Sequence, residues 1–253
     1  MNQYTPLKIT LLVAVCMLLG SCEYIQNLMG DDEVIDQTME LGIISHIVAD
    51  APCRIVLHNK ESNIVSISGQ KRLVDNLELS TDDGALTISH TKKNFLQKSK
   101  LIEIGISAKH LTRLTANMAI ELEAPETIKA DHFTMLINGG AKFAEIELDL
   151  YCQSIQLRVH GNNNIGNYHL SGLTNQAFIV LEGSVNVDAL KLITSNCKIK
   201  HMSIGSCKVH ASTNLKVDTY SSGNTYYQGG AVVSHQCIKV PYLNCTGKVI
   251  NLD

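Results

Sequence analysis

From residue 116 onward the sequence keeps returning to a short stretch of small and polar residues that ends on an apolar one. Aligned on that fifth position, the pentapeptides are "ANMAI" (116–120), "GGAKF" (139–143), "GNNNI" (161–165), "GSVNV" (183–187), "GSCKV" (205–209), "SGNTY" (222–226) and "CTGKV" (245–249). Their starts are separated by 23, 22, 22, 22, 17 and 23 residues. A fixed period of this size marks a chain that coils through stacked, similar units. Stretches such as "FTMLI" (133–137), "SIQLRV" (154–159), "FIVL" (178–181) and "LKVDTY" (215–220) alternate or are β-branched, and no amphipathic helical window persists. Glycine and asparagine at the corners tolerate the backbone angles a sharp bend requires. The expectation is therefore an all-β, right-handed parallel β-helix-like solenoid with rungs of about 22 residues. Ile120, Phe143, Ile165, Val187, Val209, Tyr226 and Val249 are expected to point inward and stack. An antiparallel sandwich is the competing architecture; it would show turn signals every 8–12 residues, as "LSGLTNQ" (170–176) does at one place.

The front third has a different texture. "CRIVLHN" (53–59), "NIVSISG" (63–69), "NLELST" (76–81), "ALTISH" (85–90) and "LIEIGIS" (101–107) read as strands. "TDDGA" (81–85) signals a hairpin, and "KRLVDN" (71–76) a helical turn. "TKKNFLQKSK" (91–100) is a basic, polar loop. Residues 34–106 are read as an N-terminal β region that caps or packs on a solenoid spanning 107–253, since a bare solenoid end leaves an open edge.

The N-terminus reads as an address. Lys8 precedes a largely apolar run, Ile9 to Leu19, with Thr10 its one polar residue. That run is too short to span a bilayer of about 30 Å and suits the apolar region of a signal peptide. Leu19-Gly20-Ser21-Cys22 then resembles the bacterial lipoprotein lipobox. The resemblance implies a signal peptide over 1–21, lipidation of Cys22, and attachment to a membrane through acyl chains. Residues 22–33 become the lipidated cysteine and a tether, and the protein an outer-membrane lipoprotein facing either the periplasm or the cell surface.

Charge narrows the partners. The chain carries 21 Lys and Arg against 24 Asp and Glu, a formal net charge of −3. Nucleic-acid binders need a basic surface to displace counterions, so no nucleic-acid partner is expected. Tryptophan is absent.

Three stretches together carry a family resemblance: "CRIVLHNKESNIVSISGQKRLVDNLELSTDDGALTISH", "LIEIGISAKHLTRLTANMAIEL", and the glycine corners including "INGGAKF". They resemble the bacterial head-GIN-domain family, adhesin-like proteins common in Bacteroidetes envelopes. The resemblance covers roughly 34–250 as one domain. It implies a β-helix-like fold on a lipoprotein, no established reaction and no catalytic residues. The corners here depart from the family's repeated Gly-Ser-Gly, carrying Asn, Cys and Ala instead.

Other candidate sites are weak on their own residues. Cys53, Cys152, Cys197, Cys207, Cys237 and Cys245 could pair in 15 ways, and their spacing fixes none. Buried free thiols acting as small hydrophobes are the main expectation. Cys197, His201, Cys207 and His210 carry zinc-ligand types, but an extended strand separates them, so no metal site and no cofactor is assigned. His160, His201 and His235 read as exposed. Asp149, Asp188 and Asp218 do not share one column, so no catalytic residue is assigned. Asn117, Asn162, Asn163, Asn164, Asn186 and Asn224 suit a structural ladder at the corners. The function expected is a non-enzymatic binding, adhesion or structural role in the cell envelope. The alternatives are a polysaccharide-acting β-helix enzyme and a periplasmic interaction module. The ligand, a glycan or a protein, stays unknown, and solenoid ends leave room for a homo-oligomer.

Overall fold

The computed structural model describes residues 33–91 and 101–253. The leader, Cys22, the tether up to residue 32, and residues 92–100 of the basic loop lie outside the described residues. The chain forms the expected all-β parallel solenoid, with an N-terminal β region packed on it.

The repeating body is built from β8 (Arg113–Ala116), β9 (Ile120–Glu123), β10 (Ile128–Ile137), β11 (Ala144–Val159), β12 (Ile165–Ser203) and β13 (Cys207–Thr219). Beyond these lie β14 (Thr225–Gln228), β15 (Val232–Cys237) and β16 (Val249–Asn251). Each pairs in parallel with its counterpart one circuit away. From β10 to β12 the register keeps the expected period, with Ile128 beside Leu150 and Leu150 beside Gly172. Side chains bond across the rungs at the same separation of 22, as Cys152 does with Thr174. The circuit is already shorter at Val187, which lies beside Cys207; the register shift between Ala189 and Ile193 shortens it further, and the one between Thr194 and Asn196 gives one residue back. From there Asn196 lies beside Asn214 and Asn214 beside Val232, and the Asn196–Asn214 separation is only 18. The circuit therefore shortens from 22 residues in the middle of the body to 18 at Asn196–Asn214, and lengthens again to 24 where Asn224 bonds Lys248 and β14 meets β16.

Alternation puts one set of side chains inside. Phe133, Ile155 and Ala177 form one buried column, and Met135, Leu157 and Ile179 another. Burial of one such aliphatic side chain is worth about 1.5–3 kcal/mol. Of the expected inward stack, Ile120, Val187 and Val209 are buried, and Val249 packs partly against the core. Val187 lies beside Cys207 rather than Val209, because the circuit is already shorter there. Phe143 and Ile165 are instead exposed, at 64% and 45%. The neighbours Ala144 and Gly166 pair across the rungs in their place. Phe143 has positive φ, which turns its side chain out of the alternation. Tyr226 lies beside Lys208, while Thr225 and Tyr227 face the core.

The corners are held by close backbone contact and by asparagine. Gly161 has φ of 108°, and a Cβ there would lie 2.7 Å from Gly139 Cα. Asn138 Nδ2 donates to Asn117 Oδ1 at 2.6 Å, and buried Asn164 Nδ2 donates to the carbonyls of His160 and Asn138. Asn186 Oδ1 accepts from Ser206 N, and Asn224 Oδ1 from Lys248 N. These amides link successive turns, as the structural reading of the asparagines requires; Asn162 and Asn163 are exposed.

The parallel stacking reaches back into the N-terminal region. The strands β2 (His46–Ala49) and β3 (Cys53–His58) form a rung beside β8 and β9. These partners follow much later in the chain, at a separation of 67 where Thr112 bonds the Ser45 carbonyl. On the other side of this rung lie β6 (Ala85–His90) and β7 (Ile102–Ser107). The strands β1 (Val34–Glu40), β4 (Ile64–Gln70) and β5 (Leu77–Asp82) add antiparallel pairings that close this end, with the helical turn α1 (Lys71–Val74) leading into β5. The β5–β6 hairpin turns on Asp83 and Gly84, both at positive φ, as the Asp-Gly signal predicts.

Candidate functional site

The transition from longer to shorter circuits coincides with an open groove on one face, of about 480 Å³. Its walls come from the middle of β11, two passes of β12, β13 and β15, so it crosses five strand segments. At about 4.8 Å per rung that is on the order of 20 Å. Inward residues Ile155, Ala177, Cys197 and Leu215 anchor these segments, and their alternating neighbours form the lining.

Two outward columns matter. One holds Ser154 beside Gln176, then Asn196 beside Asn214 and Val232. Asn214 Nδ2 donates to Asn196 Oδ1 at 2.7 Å, which fixes those amides, and His132 Nδ1 contacts Ser154 Oγ at 2.7 Å above them. The other holds Gln156 beside Phe178, then Lys198 beside Lys216 and Ser234. The Arg158 guanidinium lies 5.2 Å from the centroid of the Phe178 ring, and Lys198 Nζ lies 5.8 Å from it. Both distances suit cation–π attraction, which holds Lys198 in the lining and Arg158 just beyond it, beside Phe178. No carboxylate lines the groove, and among the described residues Arg158, Lys198 and Lys216 form no ion pair.

None of these groove residues stood out in the sequence as a site. The signal was present in part: Arg158, Phe178 and Lys216 are outward members of the strands "SIQLRV", "FIVL" and "LKVDTY".

The other candidates separate. Cys197 and Cys207 are buried thiols, and burial pushes Cys197 up to about 12 and Cys207 well above its ordinary value. Thiols held protonated are poor nucleophiles and poor ligands. His201 is fully buried, not exposed, and burial pushes it down to about 4. His210 Nδ1 instead bonds the Gln228 side chain at 3.0 Å. Among the described residues no group of three or more His, Cys, Asp or Glu side chains is placed to hold a metal ion. Asp149 accepts from Thr127 and Ser171, Asp188 faces Lys208, and Asp218 lies beside Lys200, so the three aspartates do not meet. Cys53, Cys152, Cys197 and Cys207 are free and buried, while Cys237, the last residue of β15, forms a disulfide with Cys245. No described helix is long and apolar enough to cross a membrane.

Comparison with known proteins places this architecture. Among curated proteins none matches the chain. A putative adhesin from Bacteroides fragilis has the same fold at a TM-score of 0.76 and 16% identity, over 88% of this chain and 98% of that one. A putative adhesin from Parabacteroides distasonis superposes at 0.65 and 18% identity, with the same coverage of each. A protein from that organism described as a putative lipid binding protein superposes at 0.63 and 14% identity, again over 88% and 98%. The family described as "Putative auto-transporter adhesin, head GIN domain" matches residues 45–231, so the chain, with its β-solenoid and its adhesin-like relatives, belongs to that family.

Proposed function

We propose that this chain is a lipid-anchored protein of the bacterial cell envelope whose solenoid has a non-enzymatic binding or adhesion role. The observation that carries the binding role is the groove. It offers unpaired cations, fixed amides and one aromatic ring, and its lining holds no pair of carboxylates. A rigid solenoid presents such a face with little entropy to lose on contact. The lipobox-like Leu19-Gly20-Ser21-Cys22 supports the anchor at Cys22. The Cys237–Cys245 disulfide fits an oxidising compartment outside the cytoplasm. The family's adhesin description points to the cell envelope or surface.

The test is protease shaving of intact cells expressing the full chain, with Cys22→Ala as the anchoring control. The expected result is membrane-bound protein whose domain is shaved from intact cells, and release of the Cys22→Ala variant from the membrane fraction. Protection until the envelope is opened would refute adhesion and leave a periplasmic interaction module. Retention of Cys22→Ala in the membrane would refute the lipid anchor.

A further inference from the structure

Building on the binding role proposed above, we infer that the groove across β11, β12, β13 and β15 binds an acidic glycan, a hydroxyl-rich polymer bearing carboxylate or sulfate groups. Three observations converge on that chemistry.

The first is charge. Lys198 and Lys216 are register partners on adjacent strands, so two like charges stand one rung apart. Such a pair is unfavourable when left alone. Arg158 joins them through Phe178, and no groove carboxylate neutralises the three. This occurs on a chain with formal net charge −3, so the positive charge is local to the face. An anion laid along the groove relieves the repulsion and is drawn in by the focused field.

The second is shape. A groove of about 480 Å³ is within the range of ligand sites, yet it is open and crosses five strand segments. It fits an extended polymer better than a single small ion. The repeat of outward positions from strand to strand gives successive contacts to a ligand that is itself periodic.

The third is the neutral lining. Gln156, Gln176, Asn196 and Asn214 offer amide donors and acceptors, the complement of sugar hydroxyls. Phe178 supplies one apolar ring face between the cations. An anionic lipid would need an apolar slot for its chains, but of the apolar lining residues Ile155, Ala177, Cys197 and Leu215 are buried in the solenoid core, which leaves Phe178 and Val232 to face a ligand. Stacking of successive nucleobases needs several rings where this groove has one.

The experiment uses the full chain purified in detergent from its membrane. Binding is measured by biolayer interferometry to polygalacturonate, dextran sulfate, neutral dextran, phosphatidylglycerol vesicles and single-stranded DNA. Wild type is compared with Lys198→Gln/Lys216→Gln and with Phe178→Ala, whose folding is checked by circular dichroism. The expected result is binding to one or both acidic polysaccharides, none to dextran, and a loss of about tenfold or more in the double lysine variant. Preference for polygalacturonate assigns a carboxylate ligand, and preference for dextran sulfate a sulfate ligand. Equal binding to vesicles or DNA, no acidic-glycan binding, or binding unchanged in the folded variants would each overturn the inference. The readout is independent of where the protein sits in the cell. A negative result here with positive shaving therefore removes the groove ligand alone, and the converse removes the surface role alone.

Discussion

Between pH 7 and pH 4 the stability of this solenoid should fall in a way that one side chain dominates. His201 is completely buried at the start of a corner. Its Nε2 lies 3.1 Å from the Gly205 carbonyl, which can only accept, so Nε2 carries the proton. Nδ1 then accepts from Thr225 Oγ1 at 3.0 Å. The ring is satisfied while neutral, and desolvation opposes a second proton. The folded value is thereby depressed from 6.5 to about 4. The unfolded chain binds this proton at about pH 6.5, while the folded chain resists it until about pH 4. The stabilisation is thus fully present above pH 6.5 and drains away as pH falls toward 4. At about 1.4 kcal/mol per pH unit the loss is about 3 kcal/mol. Urea unfolding of wild type and His201→Gln across this range isolates the effect, because His46 and His90, also lowered by burial, are common to both. Wild type should lose about 3 kcal/mol more than the variant. Parallel profiles would refute the buried, neutral assignment of His201.

Four further outcomes follow from particular contacts. Tyr168 is fully buried with its hydroxyl unpartnered, so Tyr168→Phe should be neutral or raise stability by about 1 kcal/mol in urea unfolding. Gly161→Ala should cost about 2 kcal/mol or more, read as a lower urea midpoint, because its φ of 108° is strained for alanine and Gly139 blocks the Cβ. Removing the Cys237–Cys245 bridge with paired serines should cost about 2.5 kcal/mol, since it closes a short loop, and should speed proteolysis of 238–244. The Lys198→Gln/Lys216→Gln variant should leave the urea midpoint unchanged or slightly higher, because it removes a like-charge pair between exposed side chains.

The solenoid was legible because successive corners kept one interval, which follows from circuits of equal length in the middle of the body. What the interval could not convey is the change of circuit length. The spacing of "GSVNV" and "GSCKV" stays unchanged while Val187 already pairs with Cys207, and the bulges around Ala189–Asn196 take the paired register lower still. Val187 and Val209 therefore kept the correct face but not the correct neighbour. At Phe143 and Ile165 a shift by a single position was enough to turn the side chain to solvent, as strand alternation dictates. The same sensitivity misplaced His201, which the pattern around it marked as exposed. The groove was hidden for a related reason. Its columns join Gln156 to Phe178 and Lys198 to Lys216, pairs with unequal spacing along the chain, so no single period aligns them. The Cys237–Cys245 bridge depends on the chain returning beside β13 near Thr219, which spacing alone does not reveal.

The placement of β2 and β3 between two later rungs bears on assembly. Synthesis delivers this rung first, yet β6 and β7 on one side arrive only after β4 and β5, and β8 and β9 on the other side later still. Closing the long loop to β8 costs about 1 kcal/mol more in entropy than closing one ordinary circuit, because the cost grows with the logarithm of loop length. The central turns, each reaching only to the preceding circuit, can nucleate among themselves and serve as the template. The first rung can pair with β6 and β7 on one side, and its other backbone edge stays open until β8 and β9 provide a surface to join. The edge of the first rung that faces β8 and β9 is thus the one whose closure needs the longest loop, and until it closes it is a place where pairing with another copy could begin.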